Sequence, residues 1–247
     1  MTDQNALARP DALDVDRSAL FLDLDGTLFP IAPTPQDVEP DARRTELLRR
    51  LSIRLEGRLA VISGRTIADV DRILDGAAAA VAGVHGLERR WPDGRTERPP
   101  PDPTLADAQD ELTALVARYP GLLIEDKGLA LGVHYRGRPE AAHDVEDTAR
   151  RIAARTGLVI QAGDMVVELR GLGARKGDAL NAYMHTTPFL GAVPYFIGDD
   201  LTDEDGFSAA RALGGEGILV GPHRATAASR RLDDVAAVVD WLSAALG

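Results

Sequence analysis

The sequence predicts an α/β protein: an open, mostly parallel sheet core with helices on both faces, plus an inserted smaller α+β domain with an antiparallel sheet. Three observations carry this. Short, wholly apolar runs alternate with stretches that are apolar at helical spacing. The alternation breaks at a proline-dense segment, WPDGRTERPPPDP, and resumes after Gly171. A chain of 247 residues with 45% hydrophobic content is long enough to give each unit a core.

Residues 19–22 are an apolar run ending at Asp23, the pattern of a buried parallel strand that delivers an acidic loop at its carboxyl end. Residues 40–55 set Leu47, Leu48, Leu51 and Leu55 at helical spacing. Residues 59–62 read as a second buried strand, 66–74 as a helix with Ile67, Val70 and Leu74 on one face, and 80–82 as a third strand. Residues 92–103 cannot continue a helix or a central strand and are expected to be a linker. The inserted unit then reads as a helix over 104–119, strands over 122–125 and 129–135, and a helix over 139–155. Two more strands, 158–161 and 165–169, are joined by Ala162-Gly163-Asp164 as in a hairpin. The alternation returns with a helix from about 177, a strand over 193–197, a helix over 203–213, a strand over 218–220 and a final helix over 234–246. The core therefore takes residues 1–101 and 171–247 and the insertion 102–170, with residues 1–18 open between packing and disorder.

Thirty-nine acidic against 28 basic residues give a net charge of -11, which repels nucleic acid and anionic membranes, so neither is an expected partner. No apolar run approaches the roughly 20 residues of a membrane span, and the first residues lack the basic start and apolar stretch of a signal peptide. The expected location is cytoplasmic. Without cysteine there is no disulfide, thiolate nucleophile or cysteine metal site. Among the basic residues only Lys127 and Lys176 are lysines. In so arginine-rich a chain they are candidates for positions that need a compact ammonium.

Open parallel sheets place their sites in loops beyond the carboxyl ends of the strands, and the chemistry-bearing residues fall there. In Asp23-Leu24-Asp25-Gly26-Thr27-Leu28, two carboxylates one residue apart can aim at a common centre. One can attack phosphorus to form an acyl phosphate; the other can protonate the leaving oxygen and later activate water. The acidic loop Gly198-Asp199-Asp200-Leu201-Thr202-Asp203-Glu204-Asp205 crowds like charges that magnesium would neutralise. Asp199 is expected to face the metal while Glu204 or Asp205 caps the next helix. Ser63-Gly64-Arg65 offers a hydroxyl and amides at a helix start to a phosphate oxygen, and Lys176, just before a helix, can offset charge on the attacking carboxylate. In the insertion, Glu125, Lys127 and Glu168 suit the vicinal hydroxyls of a sugar. His134 and Arg136 read equally as sugar contacts or as an exposed sheet face.

Taken together in this order, the four loops resemble the haloacid-dehalogenase-like phosphatase superfamily. The resemblance implies Asp23 as nucleophile and metal ligand, and Asp25 as general acid and base with its carbonyl on the metal. It implies Ser63 and Lys176 as stabilisers of phosphate and intermediate, and Asp199 as a magnesium ligand. Asp200 joins or orients that metal loop, and Asp203 assists. The insertion then corresponds to the superfamily's cap, which reads the leaving group. Gly83-Val84-His85-Gly86-Leu87-Glu88-Arg89-Arg90, the 125–136 segment and the 198–204 loop look like the trehalose-phosphate phosphatase family, over about residues 19–242. That family implies magnesium-dependent hydrolysis of trehalose 6-phosphate and a functional link to a trehalose-phosphate synthase. Its sugar-reading positions fall on Glu125, Lys127 and Glu168, and the substrate-binding set extends to Ser63, Gly64, Arg65, His85, His134 and Arg136. The alternatives are a capped phosphatase for sucrose phosphate, mannosylglycerate phosphate or a hexose phosphate, and a non-catalytic sugar-phosphate sensor. Degenerate sensors lose the nucleophile or metal carboxylates, which are all present here.

Overall fold

In the computed structural model, which describes residues 7–173 and 175–247, every residue of the first strand, Ser18–Leu22 (β1), is buried. In chain order there follow Ala42–Arg54 (α1), Leu59–Ile62 (β2), Ile67–Leu74 (α2), Ala80–Gly83 (β3), Glu88–Arg90 (β4), Thr96–Glu97 (β5) and Thr104–Arg118 (α3). Next come Leu123–Asp126 (β6), Ala130–His134 (β7), Ala142–Thr156 (α4), Val159–Gly163 (β8) and Val166–Arg170 (β9). The chain closes with Lys176–Met184 (α5), Val193–Gly198 (β10), Glu204–Ala212 (α6), Glu216–Val220 (β11), Arg230–Leu232 (β12) and Val235–Ala244 (α7).

The described residues divide into two units, one of 7–31, 38–97 and 175–247, the other of 32–37 and 98–173. The first unit is an eight-stranded sheet in the order β12-β11-β10-β1-β2-β3-β4-β5. Its pairs are parallel from β12 to β3 and antiparallel from β3 to β5. Successive strand residues point to opposite faces, so full burial of β1 and β2 means that both faces are covered. Phe21, Ala60, Ile62 and Phe196 join Ala179, Leu180 and Tyr183 of α5 and Phe207, Ala209 and Ala210 of α6 in one apolar layer. Leu20 and Leu22 face the other way and are equally buried.

Local chemistry explains several helix starts. The Asp41 carboxylate accepts the amides of Arg43 and Arg44, Thr66 accepts that of Asp69, and Asp234 accepts that of Ala237. Ahead of β1, Leu13 and Val15 are buried, the Arg231 amide donates to the Ala8 oxygen at 3.0 Å, and the Trp241 indole donates to the Asp11 oxygen at 2.8 Å. Of the stretch expected to pack or fray, residues 7–18 are thus tied down, while residues 1–6 lie outside the described residues.

The second unit is a four-stranded antiparallel sheet, β6-β7-β9-β8. Leu131, Val133, Val167 and Leu169 point to one face, where they pack with Leu105, Leu112 and Leu115 of α3 and Val145 and Ile152 of α4. The other face carries Glu125, Gly132 and Glu168, which are partners across three adjacent strands. Among the described residues, no helix is long and apolar enough to cross a membrane.

Several expectations need correction. The stretch read wholly as linker begins inside a hairpin: β4 pairs with β3 and β5 with β4, and only the residues beyond Glu97 are irregular. These strands are short and polar, so tertiary pairing rather than apolar pattern makes them strands. The expected boundaries at 102 and 170 differ from the observed divisions at 98 and 173, and 32–37 groups with the second unit. The strand β12, Arg230-Arg231-Leu232, went unread for the same reason as β4 and β5.

Candidate active site

At the carboxyl end of β1 the chain leaves the sheet with Asp23, which is buried and whose amide donates to the Ile197 oxygen of neighbouring β10 at 2.9 Å. Because β10 lies directly beside β1, its own carboxyl end delivers Asp199 to the same place. Lys176, the first residue of α5, is buried and closes the group: its Nζ lies 3.0 Å from Asp23 Oδ1 and 2.6 Å from Asp203 Oδ1. Oxygens of Asp23, Asp199 and Asp203 lie within 4.8 Å of one another.

Gly26 permits this convergence. It turns at φ +76°, and a Cβ there would overlap the Asp199 carboxylate. Gly26→Ala should therefore lower turnover at least 100-fold while costing only about 1–2 kcal/mol of backbone strain. Steady-state kinetics and a melting curve on the same sample would check both halves.

Three carboxylates against one ammonium leave an excess of negative charge away from water. Burial, with Asp203 adding repulsion, pushes the Asp199 carboxyl up to about 7. Burial also raises Asp23 well above the usual carboxylate range, against the opposing pull of Lys176. Two neighbouring acids raise Lys176 despite its burial, so it stays charged.

A sign follows for the metal-free protein. Asp199 holds its proton up to about pH 7 when folded and loses it near its ordinary value of 3.8 when unfolded. Between those values the folded state binds more protons, so stability falls as pH rises through this window. With chelator present, denaturant midpoints should be higher at pH 5 than at pH 8, with the unfolding free energy larger by up to a few kcal/mol, and a bound divalent cation should shrink the difference. Equal midpoints at both pH values would contradict the burial argument.

Asp203, singled out more weakly than its neighbours in the sequence, organises this loop. Its Oδ2 accepts the amides of Asp199 and Asp200, each at 3.0 Å, and it is fully buried. Asp200 turns away, accepting the Leu201 amide at 2.6 Å, so the three-carboxylate group contains Asp203 rather than Asp200. The expected capping by Glu204 or Asp205 is corrected in the same way. Glu204 instead accepts the Ala227 amide at 2.6 Å, while Asp200 and Asp203 form the helix entry.

Asp25 does not join the cluster through its side chain. Its carboxylate takes a two-pronged pair from Arg65, Nε to Oδ2 at 2.7 Å and Nη2 to Oδ1 at 2.8 Å. Ser63 follows β2, is buried, and its Oγ accepts the Arg65 amide at 3.2 Å. The next chain segment is strained: Val84 and His85 adopt φ of +46° and +57°. Their amides are held by the Arg65 oxygen at 2.8 Å and the Ser63 oxygen at 2.9 Å. This lays the His85 ring against Gly64, where a Cβ would stand 2.7 Å from it. Glu88, on β4, accepts the Ile67 amide at 2.7 Å at the start of α2. Sequence reading assigned Glu88 no role because its strand was invisible.

In the second unit, Glu125, Lys127, His134 and Glu168 converge on the sheet face opposite α3 and α4. Lys127 Nζ pairs with Glu168 and lies 3.6 Å from Glu125 Oε2. His134 Nε2 lies 2.8 Å from Glu125 Oε2. Although burial opposes it, the His134 and Lys127 partners bring the Glu125 carboxyl below its ordinary value. Lys127 and Glu168 are buried, unusual for charged side chains on a sheet face that does not pack against a helix. Arg136 is not part of the group; it pairs with Asp164 at 2.7 Å beside the β8–β9 turn.

The oxygen-rich set at Asp23, Asp199 and Asp203 fits a hard divalent cation, and the carboxyls forced above their ordinary range are groups such a charge would relieve. Residues 21–236 match the model of the trehalose-phosphatase family. The chain is 40% identical over 226 residues, 91% of its length and 85% of the relative's, to the trehalose-6-phosphate phosphatase of Escherichia coli. It is 41% identical, over 85% of this chain and 80% of the relative, to a probable trehalose-phosphate phosphatase of Sinorhizobium fredii. Among solved structures, the C-terminal domain of Candida albicans trehalose-6-phosphate phosphatase superposes with a TM-score of 0.84 over 98% of this chain and 99% of that one. Its 21% identity speaks for the fold.

Proposed function

The chain belongs to the trehalose-phosphatase family of phosphomonoester hydrolases, and on that premise we propose that it cleaves trehalose 6-phosphate to trehalose and phosphate through an aspartyl-phosphate on Asp23. It would work in the cytoplasm on the product of a trehalose-phosphate synthase. The observation that supports the reading best is Asp23 held at the end of the central strand against Lys176, two residues before a second carboxylate. Asp23 Oδ attacks phosphorus as the bond from phosphorus to the sugar oxygen breaks, and Asp25 delivers a proton to that oxygen. Asp25 then takes a proton from water as the water oxygen attacks phosphorus, which frees Asp23 and releases phosphate. Lys176 balances charge on the attacking carboxylate, while Ser63, the Gly64 amide and the His85 side of the loop receive phosphate oxygens.

Asp23, Asp199 and Asp203, with the Asp25 carbonyl beside them, would hold Mg2+, which would supply charge neutralisation for the transferring phosphoryl group. Arg65 holds the Asp25 carboxyl group at rest through its two-pronged pair. An arriving phosphate competes for that guanidinium and frees Asp25 to take up from solvent the proton that it then delivers to the leaving oxygen.

Sugar reading falls to Glu125, Lys127 and Glu168, whose charged groups suit vicinal hydroxyls. Glu168→Gln should raise KM for trehalose 6-phosphate about 10–100-fold, as expected for a lost charged hydrogen bond, and leave turnover of an aryl phosphate nearly unchanged. The deciding assay is phosphate release, with magnesium, from trehalose 6-phosphate, sucrose 6-phosphate, glucose 6-phosphate and an aryl phosphate. Preference for another sugar would overturn the disaccharide assignment; turnover of none would overturn the catalytic reading.

A further inference from the structure

The connection between β11 and β12 carries no residue that the sequence singles out, yet Arg224 reaches from it to the acidic loop. Its Nη2 donates to the backbone oxygens of Asp200 at 2.8 Å and Asp199 at 3.3 Å. Its Nη1 pairs with Glu204, whose other oxygen accepts the Ala227 amide at 2.6 Å. The amides of Asp199 and Asp200 meanwhile donate to Asp203. The peptide joining Asp199 to Asp200 is therefore fixed at its N–H by Asp203 and at its C=O by Arg224, and the Asp199 side chain projects from that clamped backbone.

We infer that Arg224 is a positioning residue that sets the affinity of the acidic loop for its divalent cation. The inference rests on the reading of Asp23, Asp199 and Asp203 as metal ligands. A ligand already ordered loses less freedom on binding than one that must be ordered by the metal, so the clamp should appear as affinity. The guanidinium charge does not repel the cation strongly, because Glu204 balances it within the same contact. Arginine suits the task because its planar fork reaches two carbonyls and a carboxylate together, and an ammonium reproduces only part of that set. Groups that orient metal ligands without touching the metal commonly change affinity 10–100-fold.

The test is the melting temperature of wild type, Arg224→Ala, Arg224→Lys and Asp199→Asn, titrated with magnesium chloride from a chelated start, with calorimetry for the same titration. Arg224→Ala should move the magnesium midpoint up about 10–100-fold, Arg224→Lys should fall between it and wild type, and Asp199→Asn should show no magnesium response. Phosphate release by Arg224→Ala should recover toward wild type at saturating magnesium. If Arg224→Ala melts lower in chelator but keeps the wild-type midpoint, the residue is merely structural and the inference is wrong. Should Arg224→Ala fail to fold, a wild-type midpoint in Arg224→Lys overturns it equally. If wild type itself shows no response, the metal reading fails and takes this inference with it; a responding wild type with unmoved arginine variants sinks the inference alone.

Discussion

Asp23→Asn should lower phosphate release by about 10⁴–10⁶-fold, the scale seen when a covalent nucleophile is removed, while leaving the fold intact. Asparagine has the shape of aspartate but is too weak a nucleophile to form the acyl phosphate. Lys176 keeps its second partner, Asp203, at 2.6 Å, so its charge is not orphaned. Burial already works against ionisation of Asp23, so the neutral amide should melt at the wild-type temperature or above it, as when function is held at a cost in stability. Parallel assays of release and melting check both. Retention of a tenth of wild-type turnover would place the nucleophile elsewhere.

Removal of divalent cation with excess chelator should reduce turnover roughly 1,000-fold or more, with recovery on adding magnesium beyond the chelator. The physical basis is the charge count at the end of β1 and β10, where Asp23, Asp199 and Asp203 face the Lys176 ammonium. A phosphate dianion brought to that place without a further positive charge meets net repulsion. Unchanged turnover in chelator would show that Lys176 and the loop amides suffice.

The parts of the site legible in the sequence were those carried by buried parallel strands. A strand covered on both faces is apolar at every position, so β1, β2 and β10 announced themselves, and with them the loops bearing Asp23, Ser63 and Asp199. Proline density marked the insertion, but it also hid β5, whose Thr96 and Glu97 are strand only because Arg89 and Arg90 lie opposite. The division of labour among the acids from Asp199 to Asp205 was less legible. Charge density says that a loop is acidic; only the path of the backbone decides that Asp203 turns inward onto Lys176 while Asp200 caps and Glu204 meets Arg224. Arg224 was unreadable for a related reason, since its partners are carbonyl oxygens and a carboxylate about 20–25 positions away. In the second unit, Glu125, Lys127 and Glu168, named together from the sequence, lie in contact with one another, whereas Arg136, which the sequence left open, pairs with Asp164 at the β8–β9 turn.

The sheet order has a consequence for biosynthesis. One edge of β1 is closed by β2, which follows within about 40 residues, but the other waits for β10, roughly 170 residues downstream. At about 5–20 residues per second a ribosome needs on the order of ten to thirty seconds to supply it. During that interval the nascent half-sheet presents an open, wholly apolar edge of the kind that recruits other chains. The same delay keeps Lys176, Asp199 and Asp203 apart from Asp23 until late, so this cluster of carboxylates assembles only once β10 can pair with β1.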